Sequence, residues 1–353
     1  MNLRNATTVA ALIVLALTWG SKPPTLVLII VGVFLATSVL SAVHFAEVVA
    51  HRVGEPFGSL VLAVAVTVIE VGLIVTLMVS DSKGNETLAR DTVFAAAMIT
   101  TNGILGLSVM LGALRDHVAS FNAEGTATAL ATVCTLAVVC LVLPTFTESA
   151  PGPEFTGGQL AFAAVASLIL YGLFVVIQTV RHRDYFLPEE DAGPDEHADP
   201  PSSREAAKSL GLLLLALIAV VGLAKLESGA IEDGVAAIGA PPSAVGVVIA
   251  LLVLLPETLA AVRNARRNRV QTSFNLALGS AMASIGLTIP AIAVASIWLD
   301  GPLVLGLGST QIVLLTITAI VGALTVLPGR ATLQEGGVHL VLFAAFVFFA
   351  ISP

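Results

Sequence analysis

The chain has 353 residues, of which 56% are hydrophobic and 11% charged, with a net charge of −8 and a mean hydropathy of +0.97. A soluble domain carries roughly 25% charged residues, so an ordinary soluble enzyme is excluded. The acidic balance excludes a nucleic-acid binder, the apolar content excludes a disordered chain, and a multi-span helical membrane protein remains.

In chain order, apolar runs predict eleven transmembrane helices: 7–20, 25–46, 56–80, 92–114, 126–147 and 159–180, then 208–226, 241–262, 272–298, 304–327 and 336–352. The runs are continuous, without the apolar–polar alternation of a membrane β-barrel. The first run lacks a small-x-small cleavage pattern and reads as a retained helix. Cys134 and Cys140 share one run, about 9 Å apart along a helix axis. That is too far for a disulfide, so both read as packing residues.

One polar stretch separates the halves, RHRDYFLPEEDAGPDEHADPPSS at 181–203. Its proline and acidic content reads as a solvated linker, with a cation-sensing segment as the functional alternative. With eleven helices, twelve of the sixteen Lys and Arg residues fall on one side, and Lys22, Lys83, Arg90 and Lys225 on the other. The positive-inside rule then places the N-terminus and the acidic linker in the cytoplasm and the C-terminus outside. The outer loops hold Asp81, Glu86, Asp91, Glu148, Glu154, Glu227, Glu232, Asp233 and Asp300, a face that attracts cations.

Two acids sit well inside apolar runs. Glu70 lies in LVLAVAVTVIEVGLIVTLMV and Glu257 in AVGVVIALLVLLPETLAAV. A charge at the bilayer centre costs at least about 2.5 kcal/mol, so such residues mark function. Glu70 falls in the third helix and Glu257 in the eighth. An offset of five helices is odd and inverts a repeat across the membrane. The predicted fold is therefore all-α and polytopic: an extra helix (1–24), two inverted five-helix repeats (25–180 and 208–353) and a linker (181–207) between them. Such folds bind substrate near the midplane, at the repeat interface.

Neighbouring oxygens complete a site. Pro256 removes a backbone donor and frees a carbonyl about one turn earlier. The fourth helix carries Thr101 and Asn102, the third Thr67, and the ninth Asn275, Ser280 and Ser284. Single hydroxyls in membrane helices also serve close packing, whereas a buried amide needs a partner. Carboxylates with amide, hydroxyl and carbonyl oxygens suit a hard cation such as Ca²⁺. No buried Cys/His set points to a transition metal. His44, Glu47 and His51 follow the second helix and either relay protons or face water. In a low dielectric an unpaired carboxyl favours its neutral form, and a bound cation favours the ionised form. Cation and protons would then compete for the same oxygens, which gives antiport by alternating access. An intramembrane protease finds no embedded Asp and no His-Glu-x-x-His. A passive channel would more often use a symmetric ring of acids.

HRVGEPFGSLVLAVAVTVIEVGLI (51–74), RHRDYFLP (181–188) and LLPETLAAVRNARRNRVQTSFNLALGSAMASIGLTIP (254–290) together resemble the bacterial ChaA-type calcium/proton antiporters of the calcium/cation antiporter superfamily. The resemblance covers nearly the whole chain. It implies Glu70 and Glu257 as the paired cation and proton carboxylates, with Asn102 and the Ser280–Ser284 region beside them. It also implies a multi-pass protein of the bacterial cytoplasmic membrane, with no cofactor. The cargo would be Ca²⁺ exchanged for H⁺, with Na⁺ or K⁺ as the alternative, and assembly of several copies is left open. The sequence departs from the Gly-Asn-Ala-x-Glu motif of the vacuolar-type exchangers. Thr67 and Leu254 stand where that motif has its amides, which bears on selectivity among Ca²⁺, Na⁺ and K⁺.

Overall fold

The computed structural model describes residues 3–21, 23–54, 57–79, 85–187, 201–299 and 301–353. The helices are α1 (Leu3–Thr18), α2 (Thr25–Val53), α3 (Phe57–Met78), α4 (Leu88–Asp116), α5 (Ala123–Phe146), α6 (Gly157–Arg181) and α7 (Ser203–Ala237). They continue with α8 (Ala244–Val253), α9 (Leu255–Arg266), α10 (Val270–Ala295), α11 (Ser309–Val326) and α12 (Leu333–Ile351). Among the described residues nine helices are long and apolar enough to cross a membrane, and the bent pair α8–α9 makes ten. α1, a shorter apolar helix described over sixteen residues, lies just under the roughly 17–25 residues of a typical span. Most of the acidic linker (188–200), Lys22, Asp81, Lys83 and Asp300 lie outside the described residues.

Local chemistry sets the helix ends. Pro24, in extended backbone, precedes α2, and Gly54 closes it at φ +74°, a conformation that suits glycine. Thr156 and Gln159 form a capping box at α6, and Ser202 and Glu205 another at α7. Interruptions fall inside four spans, and α6 closes on a further π-turn at Ile177–Arg181. α4 widens into a π-turn at Ile99–Ile104, and α5 does so at Val138–Val142, just before Pro144. α8 and α9 bend by 55° at Leu254, where Pro256 cannot continue the hydrogen-bond ladder. α10 is interrupted at Leu287, three residues before Pro290.

The seventh helix does not end at 226 as the hydropathy pattern predicts. α7 runs 35 residues to Ala237, so Lys225, Glu227, Glu232 and Asp233 lie on a helix rather than in a loop. Hydropathy reports where apolar surface stops; backbone hydrogen bonding continues through 227–237, where no proline interrupts the ladder. Lys225 Nζ sits 5.4 Å over the Trp19 ring. Glu227 is buried at the α2 interface, its carboxyl facing Gly32. Asp91, placed in a loop by the same pattern, is buried in the first turn of α4.

Two apolar clusters organise the bundle. One unites α1, α2, α3, α7 and α8 through residues such as Leu15, Val39, Leu73, Val220 and Ile249. The other unites α4, α5, α6, α10 and α12 through Val93, Leu136, Phe174, Phe274 and Phe346. Large apolar side chains including Ile29, Ile169, Leu214, Val341 and Phe348 are exposed on the outside, as a lipid-facing surface requires. Two short backbone pairings tie the halves together. β1 (Val118–Ser120) runs antiparallel to β2 (Arg330–Thr332), with Ala119 opposite Ala331, and Glu154 bridges Val304. Cys134 and Cys140 are free, and the Cys140 thiol meets the Ser167 hydroxyl at 3.0 Å.

Candidate functional site

Glu70 lies midway along α3 between buried Ile69 and Leu73 and is only 3% exposed. Hydroxyls from α10 satisfy both of its oxygens. Ser284 Oγ donates to Oε1 at 2.5 Å and Thr288 Oγ1 to Oε2 at 2.8 Å. The two donors lie four residues apart, one before and one after the interruption at Leu287. Beside the carboxylate is a small void of about 10 Å³, lined by Thr67, Ala96, Ala250, Leu254, Ser280 and Ser284 among others. That volume is near the lower limit for one water. Thr67 Oγ1 is buried there without a hydrogen-bond partner, an open oxygen facing the space next to Glu70.

Glu257 follows Pro256 in the first turn of α9, where backbone N–H groups lack helical partners and an anion is favoured. Its carboxyl meets its own backbone N–H, while Oε2 is buried without a partner. It lines a second cavity of about 220 Å³, with Tyr171, Gln178, Thr272, Asn275 and Ser280 in the wall. Val66, Ser280 and Ala283 belong to the walls of both cavities, so the two carboxylates' spaces adjoin. Neither wall contains a Lys or Arg. Among the described residues no group of three or more His, Cys, Asp and Glu side chains could hold a metal ion. The arrangement is two acids with hydroxyl and carbonyl oxygens.

The structure brings together Glu70, Thr67, Ser280 and Ser284, and joins Glu257 and Asn275 through the larger cavity. The Asn275 amide is already committed. It donates to the Phe186 carbonyl at 2.6 Å and accepts from Gln271 Nε2 at 2.9 Å, tethering the Arg183–Phe186 turn to α10. Thr101 Oγ1 donates to the Ala97 carbonyl, just before the π-turn. Asn102 lines neither cavity and instead joins a network with Thr318 and His339. His44 Nδ1 is 3.6 Å from Glu47 Oε2 on the surface of α2, and His51 is exposed. Glu47 lies within electrostatic reach of Glu257. Sequence reasoning passed over Thr288 and His339. The signal for His339 was available, since it sits in the apolar run GGVHLVLFAAF.

Known proteins resemble this chain over nearly its whole length. The family described as "Sodium/calcium exchanger protein" matches residues 23–180 and 208–352. The sodium-potassium/proton antiporter ChaA of Escherichia coli is 34% identical, over 96% of this chain and 93% of its own. The y4hA protein of Sinorhizobium fredii, named as an ionic transporter, is 46% identical, over 90% of this chain and 87% of its own. The structure of native YfkE superposes with a TM-score of 0.74 at 16% identity, covering 99% of this chain and 98% of that one. That of the H⁺/Ca²⁺ exchanger CAX does so with 0.73 at 15% identity, covering 98% and 87%. By the extent of the family match and of these relatives, the chain belongs to the sodium/calcium exchanger protein family.

Proposed function

We propose that the chain is a secondary-active antiporter that exchanges an inorganic cation for protons, with Ca²⁺ as the first candidate. The observation that carries this reading is the pair of membrane-embedded carboxylates, Glu70 and Glu257. They adjoin two cavities that share a wall, offer unpartnered oxygens at Thr67 and Glu257, and have no cationic side chain in their lining. A cation entering either space replaces protons as the partner of the carboxylates. Competition for the same oxygens is the coupling, and alternating exposure of the site to the two solvents makes it vectorial.

The layout proposed with it is eleven spans. α1 (within residues 1–24) is extra, 25–180 and 208–353 form inverted repeats, and 181–207 is a cytoplasmic linker, with the C-terminus outside. The family match in two blocks supports the division. Interrupted helices in both halves, at Ile99–Ile104 and at Leu254, support a site near the midplane.

A second reading, exchange of Na⁺ or K⁺ for protons, is favoured by one observation. Leu254 lines the Glu70 void and offers no side-chain oxygen, so the shell is poorer than the six to eight oxygens Ca²⁺ takes. The E. coli relative carries a sodium-potassium/proton name, and a relative from Aphanothece halophytica, 24% identical, a Ca²⁺/H⁺ one.

The test is transport by the purified chain in vesicles holding an acid lumen. Lumenal alkalinisation on adding Ca²⁺ outside, abolished in Glu257→Gln and in Glu70→Gln, is expected. The apparent KM for the cation should also rise as pH falls. A response to Na⁺ or K⁺ alone selects the second reading. Exchange that survives both substitutions overturns the mechanism.

A further inference from the structure

His339 is the fully buried imidazole of the bundle interior, 0% exposed on α12, and it makes no contact with either carboxylate. Its position follows from glycine. A Cβ on Gly106 of α4 would lie 2.7 Å from His339 Cβ, and one on Gly336 of α12 would lie 2.9 Å from the Met110 backbone nitrogen. Two missing side chains thus let α4 and α12 approach backbone to backbone, bringing the imidazole within reach of Asn102.

The hydrogen bonds around it form one directed chain. Thr325 Oγ1 and His339 Nε2 are 3.1 Å apart, and His339 Nδ1 and Asn102 Oδ1 are also 3.1 Å apart. Asn102 Nδ2 donates to Thr318 Oγ1 at 2.9 Å, and Thr318 Oγ1 points its proton at Met98 Sδ at 3.7 Å. With the Asn102 amide used as donor toward Thr318, its oxygen faces the ring and can only accept. The proton is therefore assigned to Nδ1, and Nε2 accepts from Thr325. Every polar atom of this interior network is satisfied by a neutral imidazole, the condition under which a buried polar network gives rigidity.

What the network holds is the π-turn of α4. Asn102 lies within Ile99–Ile104. Thr100 Oγ1 in the same turn donates to the carbonyls of Ala96 (2.8 Å) and Ala97 (3.0 Å), and Ala96 is a wall of the void beside Glu70. From imidazole to void the links are continuous: His339, Asn102, the π-turn, then Ala96.

We propose that His339 is a positioning residue for the cation site: as the Nδ1–H tautomer it fixes the π-turn of α4 and, through it, the wall that sizes the Glu70 void. The inference rests on the reading of Glu70 as a cation carboxylate. It requires that loss of the Nδ1 donor loosens residues 99–104 and weakens cation binding, with less effect on turnover.

The experiment compares wild type, His339→Leu and His339→Asn, each as the full chain. Asn places an amide donor near the Nδ1 position, and Leu offers none. Amide hydrogen exchange at residues 99–104 is one readout, and the KM and kcat for Ca²⁺-driven proton exchange in vesicles are the other. Expected for His339→Leu are an acceleration of exchange at 99–104 and a rise in KM, each about tenfold, the size typical when a group orienting a metal ligand is lost. His339→Asn should recover most of both. Should His339→Leu fail to fold, Thr318→Val, which removes the other hold on Asn102, should move both readouts the same way. Wild-type behaviour of His339→Leu or of Thr318→Val, or equal impairment of Asn and Leu, overturns the proposal. A wild-type protein that exchanges no cation would instead defeat the antiport reading. Hydrogen exchange still decides the role of His339 in that event.

Discussion

Thr288 and Glu70 are 218 residues apart in the chain, and the Thr288 hydroxyl donates to Glu70 Oε2 at 2.8 Å. This contact pins the second segment of α10 to the middle of α3, so the interruption at Leu287 is spanned by a carboxylate that bonds on both sides of it. Removing a donor from a buried acceptor costs about 1–3 kcal/mol. Thr288→Val should therefore lower the thermal midpoint of the detergent-solubilised protein and raise the cation KM, while Thr288→Ser should keep both near wild type. Equal midpoints and KM values for the Val and Ser variants would show that the contact contributes nothing.

The cavity at Glu257 is testable by chemistry. A Cβ on Gly279 meets nothing within 4 Å, and Gly279 lines that cavity. In a background with Cys134 and Cys140 replaced by Ala, Gly279→Cys should react with a membrane-impermeant thiol reagent. It should do so only from the side that carries the Arg183–Phe186 turn, and Ca²⁺ should slow the reaction. Labelling from the opposite side alone would reverse the assignment of which solvent reaches Glu257.

Arg90 and Asp91 form an ion pair at the start of α4. Arg90 Nη2 and Nε are 2.8 and 2.9 Å from Asp91 Oδ1, Nη1 donates to the Gly306 carbonyl at 3.1 Å, and Gln311 Nε2 adds a bond to the same carboxylate at 3.3 Å. Asp91 is 3% exposed. Arg90→Leu strands a buried charge and should cost about 3 kcal/mol, with the double variant Arg90→Leu/Asp91→Asn recovering part of the loss. Additive losses in a double-mutant cycle would mean the pair is not coupled.

Glycine positions separate packing from flexibility. A Cβ on Gly246 would come within 2.7 Å of the Thr92 backbone nitrogen and 2.8 Å of the Asp91 carbonyl carbon. Neither can swing aside, so Gly246→Ala should destabilise by about 1–3 kcal/mol. Gly229, on α7, has open space where its Cβ would go, and Gly229→Ala should be neutral or stabilise by up to about 1 kcal/mol. Thermal midpoints of the two variants measured side by side check both signs.

What the sequence made legible was what violates the solvent. Glu70 and Glu257 stand out because charge in an apolar run is costly, and Pro256 stands out because it must break a ladder; the structure shows the bend at Leu254. Thr288 did not stand out, because a hydroxyl in a membrane helix reads as a packing residue until its partner is known. Asn102 was noticed for the right reason, a buried amide needing a partner, yet its bonds go to His339 and Thr318 rather than toward Glu70. A single chain in one dimension does not say which face of a helix meets which neighbour. The end of α7 was missed for a different reason. The membrane boundary and the helix boundary are set by different forces, apolar transfer for one and backbone hydrogen bonding for the other.

The Glu70 void, about 10 Å³, has a kinetic consequence. Val66, Ser280 and Ala283 wall both this void and the larger cavity, and a space of that size holds at most about one water, too little for a hydrated ion beside Glu70. On the antiport reading, each transfer to Glu70 waits for these helices to part, and flux is paced by a mechanical cycle. Such a cycle saturates at modest gradients and slows steeply on cooling, where ion diffusion through an open pore would do neither.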